Sequence, residues 1–264
     1  SLSLGYLFHV RSFSMRVSLL LCSDPALSKV NTNSLSQQTL MELLIDGIVD
    51  KRDISGYSET PQDISNWTGV TLDDEQKVTA ISWQVMSLEG SLNFQWVPSS
   101  VESIIVSEND IYGSIDLTNL SPKLRLLNLS LNIFEGEVSL NILPITLLEI
   151  RLNHNRLVGA LGLDNLPPKL VLAHFYHNSF SGSVCLTKLP QALQDLDICE
   201  NCLSGYLDLT QLPSSLLWLS LSKNNFEGDY SHVVAVQNAS KVPVRGVGGH
   251  LVRDRNHIPK GKSR

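Results

Sequence analysis

Between residues 78 and 221 the apolar side chains follow neither the two-residue alternation of an isolated strand nor the stripe of a helix. They form a triplet that returns every 23 residues. Leu124, Leu127 and Leu129 are matched in register by Leu147, Ile150 and Leu152, by Leu170, Ala173 and Phe175, by Leu193, Leu196 and Ile198, and by Leu216, Leu219 and Leu221. Upstream, the same places hold Val101, Ile104 and Val106, and before them Val78, Ile81 and Trp83. A repeat of this length is one unit that cannot bury its apolar face alone, so the pattern predicts about seven stacked coils sharing one continuous core.

Two polar signatures keep the same step. Asn109, Asn132, Asn155, Asn178, Asn201 and Asn224 lie 23 residues apart, with Met86 standing in the first copy, and Gly90, Gly113, Gly136, Gly159, Gly182, Gly205 and Gly228 follow suit. The LxL part of each coil predicts a short strand pairing with its neighbours about 4.8 Å away, which builds a parallel inner sheet. An asparagine at the following turn offers both a donor and an acceptor to backbone groups that would otherwise be buried unpaired, so the six form a structural ladder. The alternation after each glycine, as in Val138 and Leu140 or Leu207 and Leu209, predicts a second short strand on the outer wall. The "LP" closing each coil ends pairing, because proline has no amide hydrogen.

Open solenoid ends must be capped. Leu40, Leu43, Leu44 and Ile48 fall at helical spacing, which predicts an amphipathic helix over residues 37–50 covering the first coil. "HVVAV" and "KVPVRGV" predict short strands over the last coil, with "VRDRNHIP" as a turn. The chain therefore divides into a weakly structured or targeting-like segment (1–33), a helical cap (34–77), the solenoid (78–228), and a C-terminal cap with a basic tail (229–264).

The consensus LxxLxLxxNxFxGxVxLxxLPxx resembles the leucine-rich repeat. Its "FxG" and "LP" elements are similar to those of plant receptor ectodomains and of protist leucine-rich repeat proteins, including kinetoplastid ones. The resemblance implies a leucine-rich repeat solenoid with a short parallel inner sheet and an irregular or β convex side. "NWTGV" at residues 66–70 is similar to the WxGVxC of plant-type caps, which implies that Trp67 packs under the cap helix. Leu72 stands where such caps carry cysteine, which removes the usual cap disulfide.

Composition narrows the function classes. A formal charge of −6 on 264 residues gives no overall nucleic-acid signal. Residues 241–264 carry seven Lys or Arg against one acid, Asp254, so this end is basic while the rest of the chain is acidic. Such a tail reads as a solvated end or as an arm contacting an acidic surface. Cys22, Cys185, Cys199 and Cys202 are too few for a disulfide framework, and the CxxC at Cys199 has no partner motif to complete a zinc site. No apolar run reaches the length that crosses a bilayer, and the compartment stays open between surface or secreted and intracellular. Sequons at Asn66, Asn119, Asn128 and Asn238 matter only for a secreted chain.

Function is sought in the side chains between the repeated leucines. One column runs Ser82, Ile105, Asn128, Arg151, His174, Asp197 and Ser220. The next runs Gln84, Ser107, Ser130, Asn153, Tyr176, Cys199 and Ser222, and a third Val85, Glu108, Leu131, His154, His177, Glu200 and Lys223. Charged and aromatic groups gather in the middle coils, so Arg151, His154, His174, Tyr176, His177, Asp195, Asp197 and Glu200 are the candidate partner-binding residues on the concave face. The pattern points to a non-enzymatic protein- or peptide-binding module without cofactor or metal. The alternative is a structural or assembly subunit docking through its convex face or basic tail. A metal site built from His154, His174 and His177 is the enzymatic option, and the weakest of the three.

Overall fold

The computed structural model describes residues 35–56 and 62–227 and, as backbone alone, the strand Val234–Ala235. The segment 1–33, the "KVPVRGV" and "VRDRNHIP" stretches, Gly228, Cys22, Asn238 and the basic tail lie outside these residues.

Each LxL segment contributes to a short strand, five residues long in the first coil (Val78–Ser82) and three in the others, whose middle residue points inward as in Leu126–Asn128, Glu149–Arg151, Leu172–His174 and Asp195–Asp197. These strands pair in parallel at a constant offset of 23 residues: Leu127 sits opposite Ile150, Ile150 opposite Ala173, and Ala173 opposite Leu196. Seven such strands, from Val78–Ser82 to Trp218–Ser220, form the inner sheet and define six complete turns between the first and the last. Antiparallel strands close its two ends: Val70–Leu72 pairs with Val78–Ser82, and Val234–Ala235 pairs with Trp218–Ser220. The second of these falls within the predicted "HVVAV" strand.

The outer wall is also a sheet, of seven parallel strands, among them Ile133–Glu137, Arg156–Ala160, Ser179–Gly182 and Cys202–Gly205. These begin immediately after the ladder asparagine and end at or just beyond the glycine, earlier than the alternation of Val138 with Leu140 had indicated. Val138 and Leu140 are buried outside any strand. The shift has a local cause: each asparagine side chain accepts from the amide two residues past the asparagine of the preceding coil, as Asn155 does from Phe134 N, which fixes the start of that outer strand, and the glycine then turns the chain with φ near +80° (81° at Gly136, 82° at Gly159).

The ladder is explicit in the hydrogen bonds. Asn155 Nδ2 donates to Leu129 O of the preceding coil at 3.0 Å and to Leu152 O of its own strand at 3.0 Å, while its Oδ1 accepts from Phe134 N at 3.0 Å. Asn132, Asn178, Asn201 and Asn224 repeat the arrangement, and Asn109 accepts from both Met86 N and Leu88 N. At "LP" the proline carbonyl accepts from the third residue on, as in Leu147 N to Pro144 O and Leu170 N to Pro167 O, both 3.0 Å. Between the sheets, the leucines, Phe134, Phe175 and Phe180 form one continuous buried core.

At the N-terminal end, the helix is shorter than its sequence period. It spans Gln37–Leu44, capped by Ser36 accepting from Thr39 N, and buries Leu40, Met41, Leu43 and Leu44. The chain then leaves the helix so that Ile48 bridges Gly90 and Val49 N donates to Glu89 O at 2.8 Å. That docking onto the first outer strand requires Gly47, where a Cβ would lie 2.2 Å from Ser91 Oγ. Satisfying the exposed sheet edge outweighs another turn of helix. Trp67 is buried in the cap, its Nε1 donating to Gln62 O at 2.8 Å. Among the described residues no helix is long and apolar enough to cross a membrane.

Candidate functional site

The concave surface is set by two backbone facts. In each inner strand the first and third residues face outward, so two rows of side chains run across the coils. After the strand, the residue preceding each asparagine position adopts a left-handed φ, between 52° at Glu200 and 60° at Glu108, including Val85, Leu131, His154, His177 and Lys223. For side chains bearing a β-carbon this conformation costs roughly 1–2 kcal/mol each, which the ladder overcomes by holding the backbone on both sides. Their side chains are thereby thrown to the rim.

The column between these two is not presented as its sequence position suggested. Ser107, Ser130 and Asn153 are buried, and only the larger Tyr176, with Cys199, reaches partial exposure in the middle coils. The backbone bends toward the asparagine there, so a small side chain sinks beneath its neighbours. Conversely, the outward row Leu126, Glu149, Leu172, Asp195 and Trp218 lines the face, and of these only Asp195 is among the candidates from the sequence. Strict two-residue alternation counted back from Arg151 and His174 finds it.

The candidate residues form two connected groups. Pairing register places Arg151, His174 and Asp197 side by side. Arg151 Nη2 contacts Glu149 Oε2 at 3.3 Å and His174 Nε2 approaches Asp195 Oδ1 at 3.2 Å. Along the rim, His154 and His177 stack with ring centroids 4.4 Å apart, and His177 Nδ1 lies 3.0 Å from Glu200 Oε2, whose other oxygen accepts from Lys223 Nζ at 2.7 Å. Tyr176 joins the groups, edge-on to His154 at 5.1 Å and to His174 at 5.8 Å.

Charge follows from these contacts. Burial, together with the neighbouring His177, holds His154 below the usual histidine range. Burial and then Asp197 raise Tyr176, and burial with the hydrogen bond to Asp197 pushes the Cys199 thiol up to about 12. Lys223 and His177 hold Glu200 below the usual carboxylate range. A thiol so protonated is a poor nucleophile. The three histidines do not converge, since His174 turns to Asp195 while His154 and His177 stack. Among the described residues no group of three or more His, Cys, Asp or Glu side chains is placed to hold a metal ion. Cys185, Cys199 and Cys202 carry no disulfide. Asn128 lies on the inner sheet with its Oδ1 accepting from Ser130 N and Oγ.

No family model matches the chain, and no curated protein matches it significantly. Solved structures do resemble it. One is a Pollen Receptor Kinase 3, at TM-score 0.54 and 24% identity over 74% of this chain and 94% of that one. Another is the ectodomain of the Arabidopsis thaliana receptor kinase GASSHO1/SCHENGEN3 in complex with CASPARIAN STRIP INTEGRITY FACTOR 2, at TM-score 0.52 and 20% identity, where the match covers 73% of this chain but only 27% of the receptor. These likenesses and the 23-residue coils agree on the architecture, a leucine-rich repeat solenoid.

Proposed function

We propose that this leucine-rich repeat solenoid is a non-enzymatic binding module that holds a protein or peptide on its concave face, across coils four to six. The observation that carries the reading is the connected cluster of Arg151, His154, His174, Tyr176, His177, Asp195, Asp197 and Glu200 on a sheet whose backbone is rigidly shared between coils. Aromatic and arginine side chains fixed on a preformed surface lose little entropy on binding and serve as interface anchors. The GASSHO1/SCHENGEN3 ectodomain, solved in complex with CASPARIAN STRIP INTEGRITY FACTOR 2, supports a binding role for the fold.

An affinity pull-down from native extract, followed by titration of the captured partner against Arg151→Ala and Tyr176→Ala, tests the proposal. Both variants are expected to weaken binding while leaving the melting temperature unchanged. The outer wall exposes Tyr112 and Val158 within its strands and Tyr206 just after the strand Cys202–Gly205, which supports the assembly-subunit reading as second choice. Loss of binding on Tyr206→Ala with none on the concave variants selects it.

A further inference from the structure

The last inner strand carries an unusual side chain for a solvated surface. Trp67, Trp83 and Trp96 are buried at 3%, 0% and 6% exposure, whereas Trp218 is 45% exposed, beside a Leu217 that is 52% exposed. Pairing register sets Trp218 directly against Asp195, with Leu172 on the carboxylate's other flank. Among the described residues Asp195 has no Lys or Arg partner. Its Oδ1 is buried without a hydrogen bond, the 3.2 Å approach of His174 Nε2 lacking the alignment for one, while the side chain as a whole remains a third exposed. Asp197, two residues on, is likewise without a cationic partner among the described residues, its Oδ1 accepting from Cys199 N at 3.0 Å. Glu200, by contrast, is already engaged by Lys223 and His177.

An exposed indole beside a carboxylate that has no Lys or Arg partner is matched by a group that is planar, apolar on its faces and cationic at its edge. A guanidinium meets all three conditions, stacking on the ring while donating charge-assisted hydrogen bonds to the carboxylate oxygens that solvent reaches, whereas an ammonium is a compact, strongly hydrated point charge. We propose that Trp218 and Asp195, with Asp197 beside them, form a subsite for an arginine side chain. The inference rests on the concave-face reading and gives the ligand its chemistry at one end of that face. The arginine comes either from a separate peptide or from the chain's own tail, which contains Arg245, Arg253, Arg255 and Arg264.

The test uses the full chain and the tryptophan emission of the folded protein, in which Trp218 is the solvent-accessible reporter. Acetyl-Gly-Arg-Gly-amide is titrated against acetyl-Gly-citrulline-Gly-amide, which has the same shape without the charge. The arginine peptide is expected to shift the emission saturably, citrulline not to, and Asp195→Asn to weaken the response about tenfold. Trp218→Phe is expected to abolish the signal, which assigns it. If the wild type is silent but responds once Arg245, Arg253, Arg255 and Arg264 are changed to Gln, the subsite is confirmed with the tail as its occupant. Equal responses to both peptides, an unaffected Asp195→Asn, or silence with and without the tail arginines overturns the inference. Such a failure leaves the binding proposal standing wherever partner capture still depends on Arg151 and Tyr176.

Discussion

The second coil and the fifth are built on the same backbone and differ almost entirely in what they show to solvent. In both, a buried pair packs between the sheets (Ile104 and Val106, Ala173 and Phe175), and an asparagine donates to the coil before, Asn109 to Trp83 O at 2.8 Å and Asn178 to Leu152 O at 3.0 Å. Both place a non-glycine residue at left-handed φ, Glu108 and His177. Outward, however, the second coil offers Ser103 and Ile105 where the fifth offers Leu172 and His174, and a buried Ser107 where the fifth has Tyr176. The ladder and the core specify the solenoid, and the residues between them are free to vary without disturbing it. That separation is what allows a repeat protein to carry a site on a few of its coils.

Core truncation is the harshest way to break the comparison. Trp83 in the first coil and Phe175 in the fifth occupy the same buried position, 0% exposed in each case. Trp83→Ala and Phe175→Ala are each expected to lower unfolding stability by about 3–5 kcal/mol in chemical denaturation. A much smaller loss at Phe175 would mean that the coils bearing the candidate site are packed more loosely than the rest, and the common plan would fail.

The ladder comes next. Asn109→Leu and Asn155→Leu each remove an acceptor for an amide of the preceding coil and a donor to carbonyls of two coils, leaving buried groups unpaired. Each is expected to cost about 1–3 kcal/mol, toward the upper end because several groups are orphaned together. Equal losses in the two regions support a ladder shared by all coils. Melting temperatures matching wild type would remove the asparagines from the account of stability.

The sequence made the ladder and core legible because repetition averages away local ambiguity: one asparagine among leucines says little, but six at a fixed step admit one reading. Where repetition stops, so does legibility. Residues 45–50 continue the apolar spacing of a helix, yet Ile48 and Val49 serve the edge of the outer sheet, a tertiary demand that no local period contains. The hairpin of Val70–Leu72 with Val78–Ser82 is illegible in the sequence for the same reason. On the concave face the columns could be named, but not their exposure, because the turn toward each asparagine sinks Ser130 and Asn153 while lifting His154 to the rim. Alternation alone marks both outward rows, and Trp218 lies in the one two residues ahead of Ser220.

At the concave face, the comparison becomes one of binding without stability. Arg151→Ala and Tyr176→Ala are each expected to weaken the captured partner by about 1–2 kcal/mol, measured by calorimetric titration, with unchanged melting temperature. The Arg151–Glu149 contact is too exposed to contribute much to folding, so its loss leaves the solenoid intact. Glu108→Ala, at the rim position of the second coil that corresponds to His177, is expected to leave binding as it was. An equal effect there would spread the site over the whole face and dissolve the contrast between coils.

The smallest expected effect is a pH dependence confined to the middle coils. Burial and the neighbouring His177 hold His154 below its ordinary value of 6.5, so as pH falls the unfolded chain takes up this proton before the folded one does. The contribution of the neutral ring is therefore fully present above pH 6.5 and is lost as pH falls through the lower folded value. Glu200 moves in the opposite range: its carboxyl, held low by Lys223 and His177, keeps its stabilising charge until pH drops below the usual carboxylate value of 4.5, so it does not contribute between pH 7.5 and 5.5. Within that window the melting temperature is expected to fall slightly, and His154→Gln is expected to flatten part of the slope because it removes the group whose proton uptake differs between the two states. Partner binding is expected to change over the same range, since a proton on His154 adds charge to the stack it shares with His177. A slope identical in wild type and His154→Gln would place the proton-linked change elsewhere in the chain and strip the rim histidines of any part in it.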